Sequence, residues 1–202
     1  MRSTLSMLRV AVCLVFALTL LAGVVFPAVL WGIAQAAFPS RANGSLVVQG
    51  GHVIGSRLIG QAFIGAGYFH PRPSAAGTGY DGLASGGSNL GPTNQKLIRN
   101  VGEALAAYRA ENALPANADV PVDAVTGSGS GLDPEISIDN ARLQAPRVAR
   151  VRGLAPSLVA AMIDAHTENP SLGVFGEPGV NVLMLNLALD SAAPAGLQTR
   201  AR

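Results

Sequence analysis

Charged side chains are scarce in this sequence. Aspartate, glutamate, lysine and arginine make up 13% of its 202 residues, whereas soluble globular proteins contain about 25%. The formal net charge of +2 comes from Arg2 and Arg9, because from Arg41 onward twelve basic residues are matched by twelve acidic ones. A nucleic-acid-binding role therefore has no electrostatic footprint in the overall charge. The low charge also indicates that part of the chain does not face water.

Cysteine, lysine and histidine are too few to build the common catalytic and structural centres. The single cysteine, Cys13, excludes an intrachain disulfide. The only lysine, Lys96, does not follow the glycine-rich run at 127–131, so the phosphate loop of ATPases and kinases is missing. The three histidines are scattered, one per segment, whereas zinc motifs need closely spaced ligands. The sequence therefore predicts no catalytic residue, no metal centre and no bound cofactor of its own.

A long uncharged run is the most conspicuous feature that is present. Positions 10–40 carry no charge, and 14 of the 24 residues at 10–33 are Leu, Ile, Val or Phe. As a helix, these 24 residues measure about 36 Å, which exceeds the roughly 30 Å hydrocarbon core of a bilayer. Pro27 is compatible with this helix, because membrane helices tolerate proline. The sequence predicts a short cytoplasmic tail over 1–9 and a transmembrane helix over 10–33.

The basic residues around this run predict its orientation. Arg2 and Arg9 precede it, whereas only Arg41 follows nearby, so the positive-inside rule leaves the amino terminus in the cytoplasm and exports residues 34–202. A cleaved signal peptide is the alternative, because positions 34–36 read Ala-Gln-Ala, a cleavage pattern. The apolar run is longer than the usual signal core of about 7 to 15 residues, which favours a retained anchor.

Small side chains recur every four residues near the end of the helix, at Ala28, Gly32 and Ala36. Such a stripe lets a second membrane helix approach closely. Ordinary alanine usage produces the same spacing, so both interpretations stay open.

The exported part is predicted to form one α+β domain, a mixed α/β unit without internal repeats. Glycines 50 and 51 separate two β-like runs, and an amphipathic helix is expected over 94–111 with Thr93 as its cap. Ser137 is expected to cap a helix that Pro146 interrupts, and Pro156 to begin another. Strands are predicted over 46–49, 52–59, 120–125 and 180–189. A basic surface is expected from Arg142, Arg147, Arg150 and Arg152.

The long connector over 71–94 contains the segment SGGSNLGPTN at 85–94, a candidate docking loop that ends in a helix cap. Direct phosphate binding is a weaker alternative, because no nucleotide-binding core accompanies the loop. A serine-lysine hydrolase would use Ser85 or Ser88 with Lys96, although no G-x-S-x-G elbow is present. The residues expected to bind a partner are Ser85, Gly86, Gly87, Ser88, Asn89, Gly91 and Asn94.

Four carboxylates flank the second glycine-rich loop at 127–131: Asp123, Asp133, Glu135 and Asp139. Carboxylate oxygens are the ligands that hard cations prefer, so this set could attract a cation. A solvated acidic turn is the alternative.

Six segments taken in order identify a family resemblance. They are GSRLIGQ (55–61), YFHPRPSA (68–75), SGGSNLGPTN (85–94), VTGSGSGLDPEIS (125–137), RVARVRG (147–153) and GEPGVNVLMLNLAL (176–189). Together with the single N-terminal membrane helix, they resemble the KdpC family, the C subunit of the bacterial Kdp potassium-importing P-type ATPase. The sequence departs from this family at Glu135, where histidine is common, and at Gly179, where arginine is common.

The resemblance implies an accessory subunit in the bacterial inner membrane with no catalytic residue assigned to it. Its expected partners are a potassium-channel-like subunit, an ATP-hydrolysing P-type subunit and a small membrane peptide, so that ATP and potassium are handled by the complex. The family is described as a catalytic chaperone that raises the ATP affinity of the hydrolysing subunit. An exported domain cannot meet cytosolic ATP, so such an effect would be indirect. A stand-alone anchored binding protein or hydrolase is the rival interpretation.

Overall fold

A computed structural model describes residues 2–192, with side chains from residue 4 onward. The side chain of Arg2 and the last ten positions of the predicted domain 34–202 lie outside the described residues. The chain forms two compact units that divide between Leu46 and Val47. Helical structure continues across the predicted boundaries at 9/10 and 33/34, so the division into tail, spanning segment and domain stays a prediction.

The first unit is dominated by one apolar helical rod. Helix α1 (Arg2–Leu20) passes through a π-helical turn (Leu21–Val25) into helix α2 (Phe26–Ala37). Pro27 lacks an N–H and its ring crowds the carbonyl four residues earlier, so the preceding turn widens and Phe26 N–H donates to the Leu21 carbonyl. Over Thr4–Ala37 the mean hydropathy reaches 2.6, with none of its most apolar stretch buried. The prediction of an apolar N-terminal helix that could span a membrane is confirmed.

A short turn and a β-hairpin follow the rod. Helix α3 (Pro39–Ala42) is a single turn, and strands β1 (Leu46–Gln49) and β2 (His52–Ser56) pair with each other. Gly50 and Gly51 have φ of 58° and 81°, the left-handed values that a tight two-residue hairpin turn requires. The predicted hairpin is present, although its second strand ends three residues earlier than expected.

Up to Ala192, where the described residues end, the remaining elements of the second unit are four helices, one 3₁₀ turn and three short strands, which confirms an α+β fold. Strands β3, β5 and β4 form an antiparallel sheet in that order, with Ile136 and Thr167 both opposite Val180. The elements in chain order are α4 (Gln95–Glu111), the 3₁₀ turn (Val122–Ala124), β3 (Glu135–Ser137), α5 (Ile138–Arg152), α6 (Pro156–Ala165), β4 (Thr167–Glu168), β5 (Gly179–Asn181) and α7 (Val182–Ala192).

The core lies between α5, α6, α7 and the three-stranded sheet. Val148, Val159, Val180, Leu185 and Leu189 have no measurable exposure, and each buried side chain of this size contributes about 1.5–3 kcal/mol through removal of apolar surface from water. Helices on one face of a small antiparallel sheet are a common α+β solution.

The predicted strand over 180–189 is wrong. Only Gly179–Asn181 is strand, and helix α7 occupies Val182–Ala192. Leu183, Leu185 and Leu189 are buried on this helix. A short run that is apolar on every face fits a buried helix as well as a buried strand, so periodicity could not distinguish them.

Three further expectations about local structure are wrong. Helix α5 does not break at Pro146 but continues to Arg152. Burial of Gln144 and Val148 on either side of the proline holds the helix together against a cost of about 3 kcal/mol. The predicted strand over 120–125 is a 3₁₀ turn, and Arg147 and Arg152 are buried rather than part of a basic surface.

Replacement of Asn186 by leucine should destabilise the chain by about 2–5 kcal/mol, because two buried polar groups would lose their partners. Asn186 has no exposure; its Oδ1 accepts from Phe69 N at 2.9 Å and its Nδ2 donates to Phe69 O at 2.9 Å. Thermal unfolding of the full chain in detergent measures the effect. The exposed Asn100→Leu on α4 is the control, and an equal unfolding midpoint for the two variants would contradict the prediction.

Candidate functional site

The two glycine-rich loops, 40 residues apart in sequence, lie against each other. Gly86 N and Ser85 Oγ both donate to the Ser130 carbonyl, at 2.8 and 3.0 Å. A Cβ atom added to Gly131 would lie 2.7 Å from both Ala76 N and Gly86 O, and its φ of +68° is left-handed. The loops therefore meet backbone to backbone, which only glycine permits at this position.

The candidate docking loop over 85–94 consequently has two halves with different surroundings. Residues 85–87 contact the second glycine-rich loop; a Cβ on Gly87 would lie 3.1 Å from the Gly129 carbonyl. Ser88, Asn89 and Gly91 are exposed. These three positions, which we call the free edge, are available to a partner. Their role in partner binding stays a prediction.

The loop ends in a helix cap one residue later than predicted. Asn94, not Thr93, is the cap of α4, because its Oδ1 accepts from Lys96 N at 2.8 Å. Asparagine side chains stabilise helix starts in this way by satisfying an orphan N–H. Lys96 therefore sits in the first turn of an exposed helix start.

A serine-lysine pair is not assembled in the described residues. Ser85 Oγ donates to a backbone carbonyl, and no hydrogen bond joins the Lys96 amine to Ser85 or Ser88 within residues 4–192. Nucleophilic catalysis would need the base within about 3 Å of the hydroxyl. The geometry gives the hydrolase interpretation no support.

The four carboxylates beside the second glycine loop are placed in different surroundings. Asp123 accepts from Ser137 N and Oγ, each at 2.8 Å, and from Asn140 Nδ2 at 2.9 Å, so it stabilises the start of α5. Asp133 pairs with Arg72 at 2.8 Å, whereas Asp139 is exposed. Within the described part of the chain, no three His, Cys, Asp or Glu side chains form a group able to hold a metal ion.

Glu135 is the most perturbed of these carboxylates. Burial, and then the charges of Glu168 and Asp133, raise its pKa above the usual value. Its carboxylate also fills the space beside Gly179, because a Cβ atom on that glycine would lie 2.6 Å from Glu135 Oε2. Glu135 and Gly179 are therefore in direct contact.

Sequence reasoning missed the buried arginines of α5. Arg147 is 3% exposed and donates through Nη1 to Tyr68 O at 2.9 Å and through Nε to Asn112 Oδ1 at 3.0 Å; burial lowers its pKa. Arg152 Nη2 donates to Asp190 at 2.8 Å, and its guanidinium lies 4.6 Å from the Tyr68 ring centroid. The spacing of Arg147 three residues after Gln144 and seven after Asn140, which places them on one helix face, was the available signal.

A mainly apolar groove of about 300 Å³ opens beside α4, between that helix and residues 62–73. His70 Nδ1 lies 2.9 Å from a Glu111 carboxylate oxygen at its border. Burial raises the pKa of Tyr80 and Tyr108, so both phenols stay neutral hydrogen-bond donors. The groove offers apolar contact with few polar groups.

A sequence profile of the KdpC family, described as the c chain of a K⁺-transporting ATPase, matches residues 8–191. The chain belongs to the KdpC family. A relative from Mycobacterium tuberculosis named "Potassium-transporting ATPase KdpC subunit" is 56% identical over 180 residues, which is 89% of this chain and 95% of the relative. Relatives of that name from Rhodospirillum rubrum and Caulobacter vibrioides are each 55% identical, over 93% and 94% of this chain and 96% and 95% of the relatives. The KdpC resemblance predicted from the six segments is thus confirmed across both units.

Replacement of Glu135 by glutamine should remove part of the pH dependence of stability. The raised pKa means that the folded chain binds the Glu135 proton more tightly than the unfolded chain, so stability falls as pH rises above the ordinary value of 4.5. Glu135→Gln should flatten this fall and be the more stable form near neutral pH. Denaturant unfolding of the full chain across about pH 4 to 8 measures it.

The matched control is Asp139→Asn, which removes an exposed carboxylate four residues away and should keep the fall in stability. An unchanged fall in Glu135→Gln would show that another group causes it.

Proposed function

We propose that this chain is an accessory, non-catalytic subunit of a Kdp potassium-transporting ATPase. The observation that carries the proposal is the KdpC match over residues 8–191, with 55–56% identity to subunits of that name along nearly their whole length. In this proposal, potassium passage and ATP hydrolysis belong to the other subunits. The chain contributes a membrane helix and a folded domain that contact them.

The proposed placement is a single pass through the bacterial inner membrane, with the amino terminus in the cytoplasm and residues 34–202 outside. The apolar helix over Thr4–Ala37 supports anchoring. Orientation is supported by Arg2 and Arg9 before the uncharged run and Arg41 alone soon after it, since basic residues favour the cytoplasmic side.

We assign docking on the potassium-channel-like subunit to the free edge, near the ion entrance. Ser88, Asn89 and Gly91 are exposed, while residues 85–87 are held by the second glycine-rich loop. A loop whose base is fixed needs little ordering when it binds, which lowers the entropic cost. The exposed stripe of Ala28, Gly32 and Ala36 is the surface we propose packs against that subunit's membrane helices, with the ATP-hydrolysing subunit and the small membrane peptide completing the complex.

The catalytic-chaperone role described for the family would then act at a distance. The proposed topology separates the domain from cytosolic ATP by the bilayer, so any rise in ATP affinity requires coupling through protein conformation. By reciprocity, ATP binding to the hydrolysing subunit would strengthen binding of this chain by the same factor.

A bulky substitution on the free edge should weaken assembly. A Cβ on Gly91 meets nothing within 4 Å, so Gly91→Trp should fold normally but obstruct a partner, lowering copurification with the potassium subunit in mild detergent about tenfold, a loss of about 1.4 kcal/mol. Gly82→Trp is the matched control, because Gly82 is equally open and lies outside the loop. Equal recovery of partners by both variants would contradict docking through the free edge.

The proposed orientation predicts which side of the membrane a protease can attack. Protease added to intact spheroplasts should digest the second unit, whereas inside-out vesicles should protect it. Digestion only in inside-out vesicles would overturn the orientation. Release of the second unit as a soluble fragment before any protease is added would show that residues 34–36 are a cleavage site and the helix a signal peptide.

A further inference from the structure

The loop that joins β4 to β5 carries a concentrated apolar surface. Leu172, Val174 and Phe175 are 89%, 74% and 66% exposed, and residues 169–176 contain no charged side chain. Scattered exposed apolar residues are ordinary, but contiguous ones mark interaction sites. We call residues 171–175 the apolar tip; they lie outside the candidate docking loop over 85–94.

The apolar tip has a preformed backbone. Ser171 and Phe175 form a β-bridge, in which each N–H donates to the other's carbonyl, at 2.8 and 3.0 Å, and Gly173 N donates to Pro170 O at 2.9 Å. Leu172 has a left-handed φ of 55°, which a branched residue adopts only at a cost. The conformation thus directs a leucine into solvent, and little further ordering is needed for binding.

The base of the tip is fixed to the rest of the second unit. Glu168 pairs with Gly179 in the sheet, and its carboxylate lies 3.3 Å from the Arg57 guanidinium. Asn181 Nδ2 in turn donates to the Arg57 carbonyl at 2.9 Å. We call the paired strands β4 and β5 the stem of the apolar tip. Strand pairing and the two contacts with Arg57 hold this stem in place.

Charges around the stem distinguish a protein partner from a lipid surface. Glu168 and Glu177 flank the loop and Glu135 lies beside Gly179; of these three carboxylates, the ion pairs found among the described residues include only that of Glu168, with Arg57. Anionic lipid headgroups would be repelled by this excess of carboxylates. A protein surface with an apolar pocket and a basic rim is complementary to an apolar centre with an acidic border.

We propose that the apolar tip, residues 171–175, docks into an apolar, basic-rimmed pocket on another subunit of the transporting complex. Assignment of the partner to that complex rests on the proposed function. The contact is separate from the free edge, so the domain would hold its partners at two places.

Photo-crosslinking in intact membranes tests this contact. In one variant of the full chain, expressed with the other subunits, a benzophenone amino acid replaces Phe175. In the control variant it replaces Val122, which is 71% exposed. The Phe175 probe should form an adduct with a larger subunit of the complex, at a peptide with apolar residues beside lysine or arginine. Leu172→Ser should lower that yield about tenfold without changing the Val122 result or the unfolding midpoint, because Leu172 is exposed.

Four outcomes would overturn the proposal. They are an adduct with lipid, an adduct with a protein outside the complex, no adduct at all, and an adduct yield that Leu172→Ser does not change. Crosslinking precedes purification, so its outcome does not depend on whether the complex survives detergent. Copurification of the partners without a protein adduct at 175 would remove the contact but leave the proposed function intact. Loss of copurification in every detergent, with no adduct to any subunit, would remove both.

Discussion

The second unit depends on how the backbone of residues 66–70, which carries the buried side chains of Tyr68 and Phe69, is hydrogen-bonded. This segment crosses the core without a neighbouring strand, and side chains of α5 and α7 take the place of one. Asn186 bonds both peptide groups of Phe69, Gln144 bonds both of His70, and Arg147 donates to the carbonyls of Ala66 and Tyr68. A buried N–H or carbonyl without a partner costs about 1–3 kcal/mol, so these three residues decide whether the segment can be buried at all.

This arrangement explains why a cationic side chain is tolerated inside. Arg147 Nη2 also donates to Gln144 Oε1 at 2.9 Å, so its guanidinium hydrogen-bonds to carbonyl and amide oxygens, and the charge of Glu111 favours its protonated form. Its partners are neutral dipoles that hold the charge by hydrogen bonding, and burial lowers its pKa. The connector that carries the free edge leaves the core directly after this segment, so its starting point is fixed by the same contacts.

Features determined by near neighbours in sequence were predictable, and features determined by distant contacts were not. The apolar rod, the Gly50–Gly51 turn, the cap at Ser137 and the helix start at Pro156 follow from local patterns and appear as expected. Helix α7 was mistaken for a strand because a run that is apolar on all sides has no informative period. The burial of Arg147 and the pairing of the two glycine loops depend on residues 35 or more positions away.

The contact between Glu135 and Gly179 depends on the absence of a side chain at position 179. Ser137 and Glu168 both face Gly179 across the sheet, and the Glu135 carboxylate fills the space that a side chain at 179 would take. Any side chain at 179 would need that space, so the Glu135 carboxylate can occupy it only beside a glycine. Because Gly179 closes the stem below the apolar tip, variation at this pair alters charge beside the tip while the strand pairing that holds it is kept.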